Sequence, residues 1–390
     1  MAKIDALTGN ECVAEAVKLC RPQIIAAYPI TPQTSVVEKL AGMISNNLLA
    51  AEMINVESEH SAMSVLKGAA MVGQRLFTAT AGQGLALMYE PYFAMATARF
   101  PMVMAITCRD MMSPSTIWSG LQDAISVRDA GWIQIFVENN QEILDMIIQG
   151  YRISENPEVF IPVNICYDGF YLSHQTERVL IPEQAEIDSF LHPFTGNQLL
   201  DVNNPQSVDS IISGRLFMDY RESHLRGMKK ALEVIDEVDS EFNRQFGRSH
   251  GGLVETYRIE DADEVLITIG AMTGAAREAV DIMRGKGLNI GLLKVRSLRP
   301  FPREKIANLL SGRKSVGVVD KSVSFGWRTG VLYQEVLSAM GWSQSQIPSV
   351  AFIGGLGGYD ISIEHMIRAI EVTCEVGRKG QTSEQTIWLK

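Results

Sequence analysis

Short apolar, β-branched runs alternate with longer amphipathic stretches over the first 166 residues of the chain. The runs at residues 23–28, 53–57, 76–80, 102–107, 133–137 and 160–166 show little in–out alternation of polarity. Between them, residues 9–20, 32–45, 60–73, 84–99 and 140–156 repeat their apolar positions at helical spacing. Strands apolar throughout and separated by helices predict a parallel sheet covered on both faces. The pair Thr31-Pro32 adds a helix-start signal, with the hydroxyl as cap and Pro32 as first helical residue.

The pattern changes from about residue 171 to 256. That stretch holds Pro182, Pro193 and Pro205, an Asn203-Asn204-Pro205 turn, few strand-like runs and one charged helix at 222–246. It reads as a linker with a helical excursion. Alternation resumes with strands at 264–269, 289–295, 315–319 and 349–353 and helices at 271–285, 303–310, 328–340 and 361–376. The expected architecture is α/β: a doubly wound parallel-sheet domain over residues 1–170, the excursion over 171–256 and a second, smaller α/β domain over 257–390.

Composition narrows the function classes. At roughly 150 residues per domain, 390 residues make two or three domains. A chain 46% hydrophobic and 21% charged is neither disordered nor fibrous. The net charge of −10 disfavours a surface that wraps nucleic acid. Cys12, Cys20, Cys108, Cys166 and Cys374 are scattered and form no C-x-x-C pair, which excludes zinc ribbons and iron–sulfur frameworks on this chain alone. No apolar run reaches the ~18 residues of a membrane span, and no basic segment leads into an apolar one at the N-terminus. The expected location is the cytoplasm.

Ligands of open parallel sheets sit beyond the carboxyl ends of the strands, so the residues just past each strand are the candidates. After the first comes Tyr28-Pro29-Ile30-Thr31-Pro32, where Thr31 and backbone amides suit an anion or serve as a plain helix cap. After the second, Glu59 enters a helix behind Ser58. It either shares a proton with a heterocycle nitrogen or caps the helix with Ser58. His60 has no second histidine nearby and reads as a solvated or supporting residue. Thr80-Ala81-Gly82-Gln83-Gly84 allows close backbone approach or a tight turn and is no dinucleotide fingerprint. Arg109 opens a loop of residues 108–123 containing Met111, Met112, Pro114 and Trp118 and suits a fork grip on a carboxylate, or a pair with Asp110. In the second domain, Gly354-Gly355-Leu356-Gly357-Gly358-Tyr359-Asp360 seats a phosphate or turns sharply from strand to helix.

Taken together the motifs say more. YPITPQT (28–34), ESEHSAM (57–63), FTATAGQGLALM (77–88), the 128–132 segment, NNQE (139–142), RPFP (299–302) and GGLGGYD (354–360) occur in an order and spacing that resembles the α subunit of the 2-oxoacid:ferredoxin (acceptor) oxidoreductases, the pyruvate synthase group. The resemblance covers nearly the whole chain. It implies a pyrimidine-side thiamine diphosphate domain followed by a domain like the transketolase C-terminal one. It places the family's catalytic glutamate on Glu59, at the aminopyrimidine of the cofactor, with Gly82 and Gln83 beside it. It puts Thr31 and Arg109 on the 2-oxoacid carboxylate, with Tyr28 near the substrate, and assigns no metal ligand to this chain. Mg²⁺ and the diphosphate are expected on a β subunit, because Asp168-Gly169 is only a partial match to the G-D-G…N segment that holds them. Iron–sulfur clusters are expected on further, γ-type partners. Coenzyme A is the expected acyl acceptor, ferredoxin or an NAD-linked carrier the electron acceptor, and a dimer of heteromers the assembly.

The loop departs from the pyruvate-type pattern. Asp110-Met111-Met112 is bulkier than the usual small residues, and Gly120-Leu121 stand where a strongly polar segment is usual. Pyruvate is the family's commonest substrate, and a methionine-rich wall also suits a branched or aromatic 2-oxoacid. Two alternatives are a self-sufficient transketolase-like or decarboxylating enzyme and a non-catalytic scaffold subunit.

Overall fold

The computed structural model describes residues 3–194, 196 and 200–390. In chain order the strands are β1 (Lys3–Thr8), β2 (Ile24–Ala27), β3 (Glu52–Asn55), β4 (Leu76–Thr80), β5 (Val103–Cys108), β6 (Ile133–Phe136), β7 (Val163–Asp168), β8 (Thr176–Ile181), β9 (Val254–Tyr257), β10 (Glu264–Thr268), β11 (Ile290–Val295), β12 (Ser297–Arg299), β13 (Ser315–Asp320), β14 (Ser349–Gly354) and β15 (Ile387–Leu389). The first sheet runs β12-β6-β7-β5-β4-β2-β3, parallel throughout except for the antiparallel edge strand β12. The second runs β15-β14-β13-β10-β11-β9, with β9 its antiparallel edge. Strands β1 and β8 pair antiparallel as a separate ribbon.

Helices cover the first sheet on both faces. Helix Gly9–Cys20 starts in a capping box: the Thr8 hydroxyl accepts from the Glu11 amide, and Glu11 Oε2 accepts from the Thr8 amide at 3.0 Å. Helix Asn140–Ser154 packs on it and on the buried stripe of helix Gly214–Phe246, which includes Ala231, Val234, Val238 and Phe242. This long helix begins eight residues before the sequence expectation and lies on the domain rather than projecting from it. On the other face a continuous apolar core joins the first sheet to the second domain.

Two helix expectations need correction. The helix expected over 84–99 is two, Gly82–Leu87 and Tyr89–Thr97. Pro91 lacks the N–H that would bond to the Leu87 carbonyl and its ring crowds that carbonyl, so the helix breaks between them. The helix after β2 starts at Thr34, not at Pro32. A turn closed by the Gln33 amide on the Ile30 carbonyl, at 2.7 Å, comes first.

A buried ion network ties the domains. Lys294 Nζ lies 2.8 Å from Glu142, 2.9 Å from Glu138 and 3.3 Å from Glu255, and Arg296 Nε lies 2.7 Å from Glu142. Burial pushes the Glu142 carboxyl up, but Lys294 and Arg296 hold it far below the usual carboxylate range. Among the described residues no helix is long and apolar enough to cross a membrane.

Candidate active site

The chain leaves β2 and passes to β3 on one side, then returns to β4 on the other. That reversal is the switch point where open sheets bind ligands. The segments just past β2, β3, β4 and β5 meet there, carrying Thr31, Glu59, Gly82-Gln83 and Arg109.

Glu59 is the first residue of helix Glu59–Met71 and is buried. Ser58 caps this helix by accepting from the Ser61 amide at 3.2 Å, so Glu59 is free of the capping task. Its carboxylate lies against the next loop: a methyl group on Gly84 would stand 2.3 Å from Glu59 Oε1 and 2.7 Å from Thr80 Oγ1. Burial pushes the Glu59 carboxyl above its ordinary value, while its own backbone amide and the charge of Arg109 pull it down. A carboxyl of raised proton affinity beside a neighbouring polar atom is suited to sharing a proton.

Arg109 is buried at the end of β5. Its Nη1 donates to the Thr31 carbonyl at 2.8 Å and its Nη2 to Gln83 Oε1. Of the two sequence readings, the pair with Asp110 is not formed. Asp110 instead accepts from the Gly357 amide of the second domain, and burial pushes it up to about 6. Gly82 holds φ +46°, and a methyl group there would fall 2.2 Å from Arg109 Nε. The glycine therefore leaves room for the guanidinium.

Sequence reasoning missed Asp123. Its Oδ2 accepts from the Gly82 amide at 2.8 Å and the Arg109 amide at 3.0 Å, so one buried carboxylate holds both site loops together. Burial pushes it up to about 7 despite those donors. Its one sequence signal is an acid closing the 108–123 loop.

Thr31 contributes its carbonyl to Arg109, and its exposed side chain faces the surface. Tyr28 is 39% exposed and makes none of these contacts. His60 is solvated, with Nε2 3.7 Å from Glu90. Met112, Thr116, Ile117 and Trp118 join Gln83 and Arg109 around a cleft of about 490 Å³.

The residues fit a polar heterocycle. Thr80 Oγ1, Gln83 Nε2 and Arg109 Nε are buried without a hydrogen-bond partner, and all three belong to the cluster around Glu59. An unsatisfied buried polar group costs about 1–3 kcal/mol, so three in one place point to a ligand that pairs with them. Carboxylate, hydroxyl and amide form a donor and acceptor set matched to an aminopyrimidine.

Comparison with known proteins gives the family. Residues 15–240 match the family model described as pyruvate flavodoxin/ferredoxin oxidoreductase, thiamine diphosphate-binding, and residues 262–366 match pyruvate:ferredoxin oxidoreductase core domain II. The chain is 42% identical to the alpha subunit of NADH-dependent phenylglyoxylate dehydrogenase of Aromatoleum evansii, over 99% of this chain and 95% of that one. It is 40% identical to pyruvate synthase subunit PorA of Methanosarcina barkeri, over 98% and 95% of the two chains. With PorA of Methanocaldococcus jannaschii the identity is 43%, over 93% of each. Among solved structures, 2-oxoglutarate:ferredoxin oxidoreductase from Magnetococcus marinus with 2-oxoglutarate, coenzyme A and succinyl-CoA bound shares the fold with a TM-score of 0.73 at 19% identity. The match spans 95% of this chain and 65% of that one. A split-gene transketolase shares it at a TM-score of 0.56 and 13% identity. By the family-model match and the full-length relatives, this chain belongs to the pyruvate flavodoxin/ferredoxin oxidoreductase family.

Proposed function

We propose that the chain is the α-type subunit of a thiamine diphosphate-dependent 2-oxoacid:acceptor oxidoreductase. The reaction converts a 2-oxoacid and coenzyme A to acyl-CoA and CO₂, and its two electrons pass to iron–sulfur clusters on partner subunits. The observation that carries the reading is the buried Glu59 carboxyl among three unpartnered polar groups at the switch point. When bound, thiamine diphosphate supplies the electron sink that decarboxylation of a 2-oxoacid needs.

The residues of this chain divide the remaining work. Glu59 holds a proton against the ring nitrogen of the aminopyrimidine, which its raised affinity for protons favours. Thr80 and Gln83 satisfy their free groups on the same heterocycle. Arg109, fixed by Thr31 and Gln83, keeps N–H donors for the substrate carboxylate. Tyr28 and the Thr31 side chain, both exposed, are the remaining candidates for contact with the substrate. The five cysteines are buried and unbridged, so the clusters are assigned to partners. A β subunit supplies Mg²⁺ and the diphosphate grip, and ferredoxin or an NAD-linked carrier takes the electrons.

For the substrate, the wall of Met112, Ile117 and Trp118 favours an aryl- or branched-chain 2-oxoacid over pyruvate. A panel of pyruvate, 2-oxoisovalerate, 2-oxoglutarate and phenylglyoxylate on the purified complex decides this, and equal or better kcat/KM for pyruvate refutes the bulky assignment. Glu59→Gln in the assembled complex should retain thiamine diphosphate yet lose about 10²–10⁴-fold in turnover. Unchanged turnover would leave a scaffold role, and an assembled complex holding neither thiamine diphosphate nor iron would overturn the reading.

A further inference from the structure

The 108–123 loop forms one wall of the cleft, and the first domain holds it at both ends and, through Asp168, at Ser119. Asp123 ties the far end to Gly82 and Arg109, and β5 fixes the near end. The middle is fastened to the second domain. The Gly357 amide donates to the Asp110 carboxylate, and the Gly358 amide to the Ser119 carbonyl at 2.7 Å. The Lys321 carbonyl accepts from the Leu121 amide at 3.1 Å. Lys321 Nζ reaches the Ser119 hydroxyl at 2.8 Å and pairs with Asp168, which also accepts from Ser119 at 2.7 Å. The Val323 amide donates to Gln122 Oε1 at 2.8 Å.

These bonds fall directly behind the cleft wall. Trp118, a wall residue, is backed by Gly358, where a methyl group would stand 2.6 Å from Trp118 Cβ. Asp110 follows Arg109 and also donates its own amide to the Trp118 carbonyl at 3.2 Å. The same short segment thus joins the carboxylate-binding guanidinium, the apolar wall and the second domain.

We propose that the glycine turn Gly355–Gly358 and Lys321 of the second domain set the position of the 108–123 loop, with Asp110 as the positioning residue through which they select the 2-oxoacid. This rests on the functional reading above and assigns the second domain a part in specificity without contact with substrate. A hydrogen bond from a backbone amide to a carboxylate is charge-assisted and directional, and a shift near 1 Å in a positioning element changes rates about 10²-fold.

The test uses the assembled complex with three substitutions: Asp110→Ala, Asp110→Asn and Gly358→Ala. Asp110→Asn keeps an oxygen acceptor for the Gly357 amide. Gly358→Ala, at φ +76°, strains the turn that carries the Gly357 amide and crowds Trp118 from behind. The ratio of kcat/KM for phenylglyoxylate to that for pyruvate should change at least 10-fold in Asp110→Ala and Gly358→Ala, mainly through KM. It should stay within threefold of the unaltered complex in Asp110→Asn. Hydrogen exchange of the amides of 110–121 should rise in Asp110→Ala while that of β5 and β7 does not. A ratio unchanged in both Asp110→Ala and Gly358→Ala overturns the proposal, even where exchange rises. Absence of turnover of every 2-oxoacid by the unaltered complex overturns the functional reading as well and is thereby told apart.

Discussion

Substituting Gly84 by alanine tests the Glu59 geometry without touching Glu59. Gly84 lies in helix Gly82–Leu87, away from the positive-φ region, so its backbone accepts alanine. The added methyl would stand 2.3 Å from Glu59 Oε1, about 1 Å short of ordinary contact, and 2.7 Å from Thr80 Oγ1. The far end of the glutamate is the part able to yield, so its carboxylate moves by about that distance. A misplacement of ~1 Å costs on the order of 10² in rate. Stability moves far less, because helix propensity gains about 0.8–1 kcal/mol and local overpacking costs about 1–3. The expected variant assembles and binds thiamine diphosphate, melts within a few degrees of the parent and turns over ~100-fold more slowly. Initial rates of 2-oxoacid-dependent acceptor reduction and a thermal melt measure both. Gly42→Ala is the control, since nothing lies within 4 Å of a methyl there. Parental kcat in Gly84→Ala would refute the placement of the Glu59 carboxylate.

Two further outcomes come from the buried charges. Lys294→Met should cost about 1.5–3 kcal/mol near neutral pH, because Glu138 and Glu142 lose their shared cation but keep Arg277 and Arg296. Glu142 is depressed in the folded state, so this contribution is present above its ordinary value of 4.5 and fades as the pH falls. Denaturant midpoints at pH 3 and 7 check it, and an equal loss at both would contradict the ion-pair account. Asp123 shifts the other way, from 3.8 up to about 7. The native state holds its extra proton between those values, so its contribution to stability is full below pH ~4 and is lost as the pH rises to 7. Asp123→Asn should flatten that part of the pH–stability curve and lower kcat/KM through the loosened Arg109 loop. A slope identical to the parent's would disprove the raised carboxyl.

Much of the fold is legible in the chain because it is written locally. β4 (Leu76–Thr80) and the helices Gly9–Cys20 and Arg303–Leu310 stand at the expected residues, each bounded by a cap, a proline or a glycine. Glu59, Gln83 and Arg109 each stand a few residues past the carboxyl end of a strand, a position that topology marks before any contact is known. The features that escape the sequence depend on distant partners. β1 and β8 are partly exposed strands that exist only as a pair, joined across more than 160 residues of chain. β12 has three residues and completes the first sheet from the second domain, so neither its length nor its domain signals its neighbour. Sequence adjacency offers the Asp110 carboxylate to Arg109, yet it bonds to an amide 247 positions away. Asp123 carries no motif because its partners are backbone amides, which every sequence supplies. The candidate side chains can thus be located from the sequence, while the groups that aim them are mostly main-chain donors delivered by the fold. The 108–123 loop obeys this rule most fully, since its fastening at Asp110 and Ser119 comes from amides of another domain, which no local sequence feature announces.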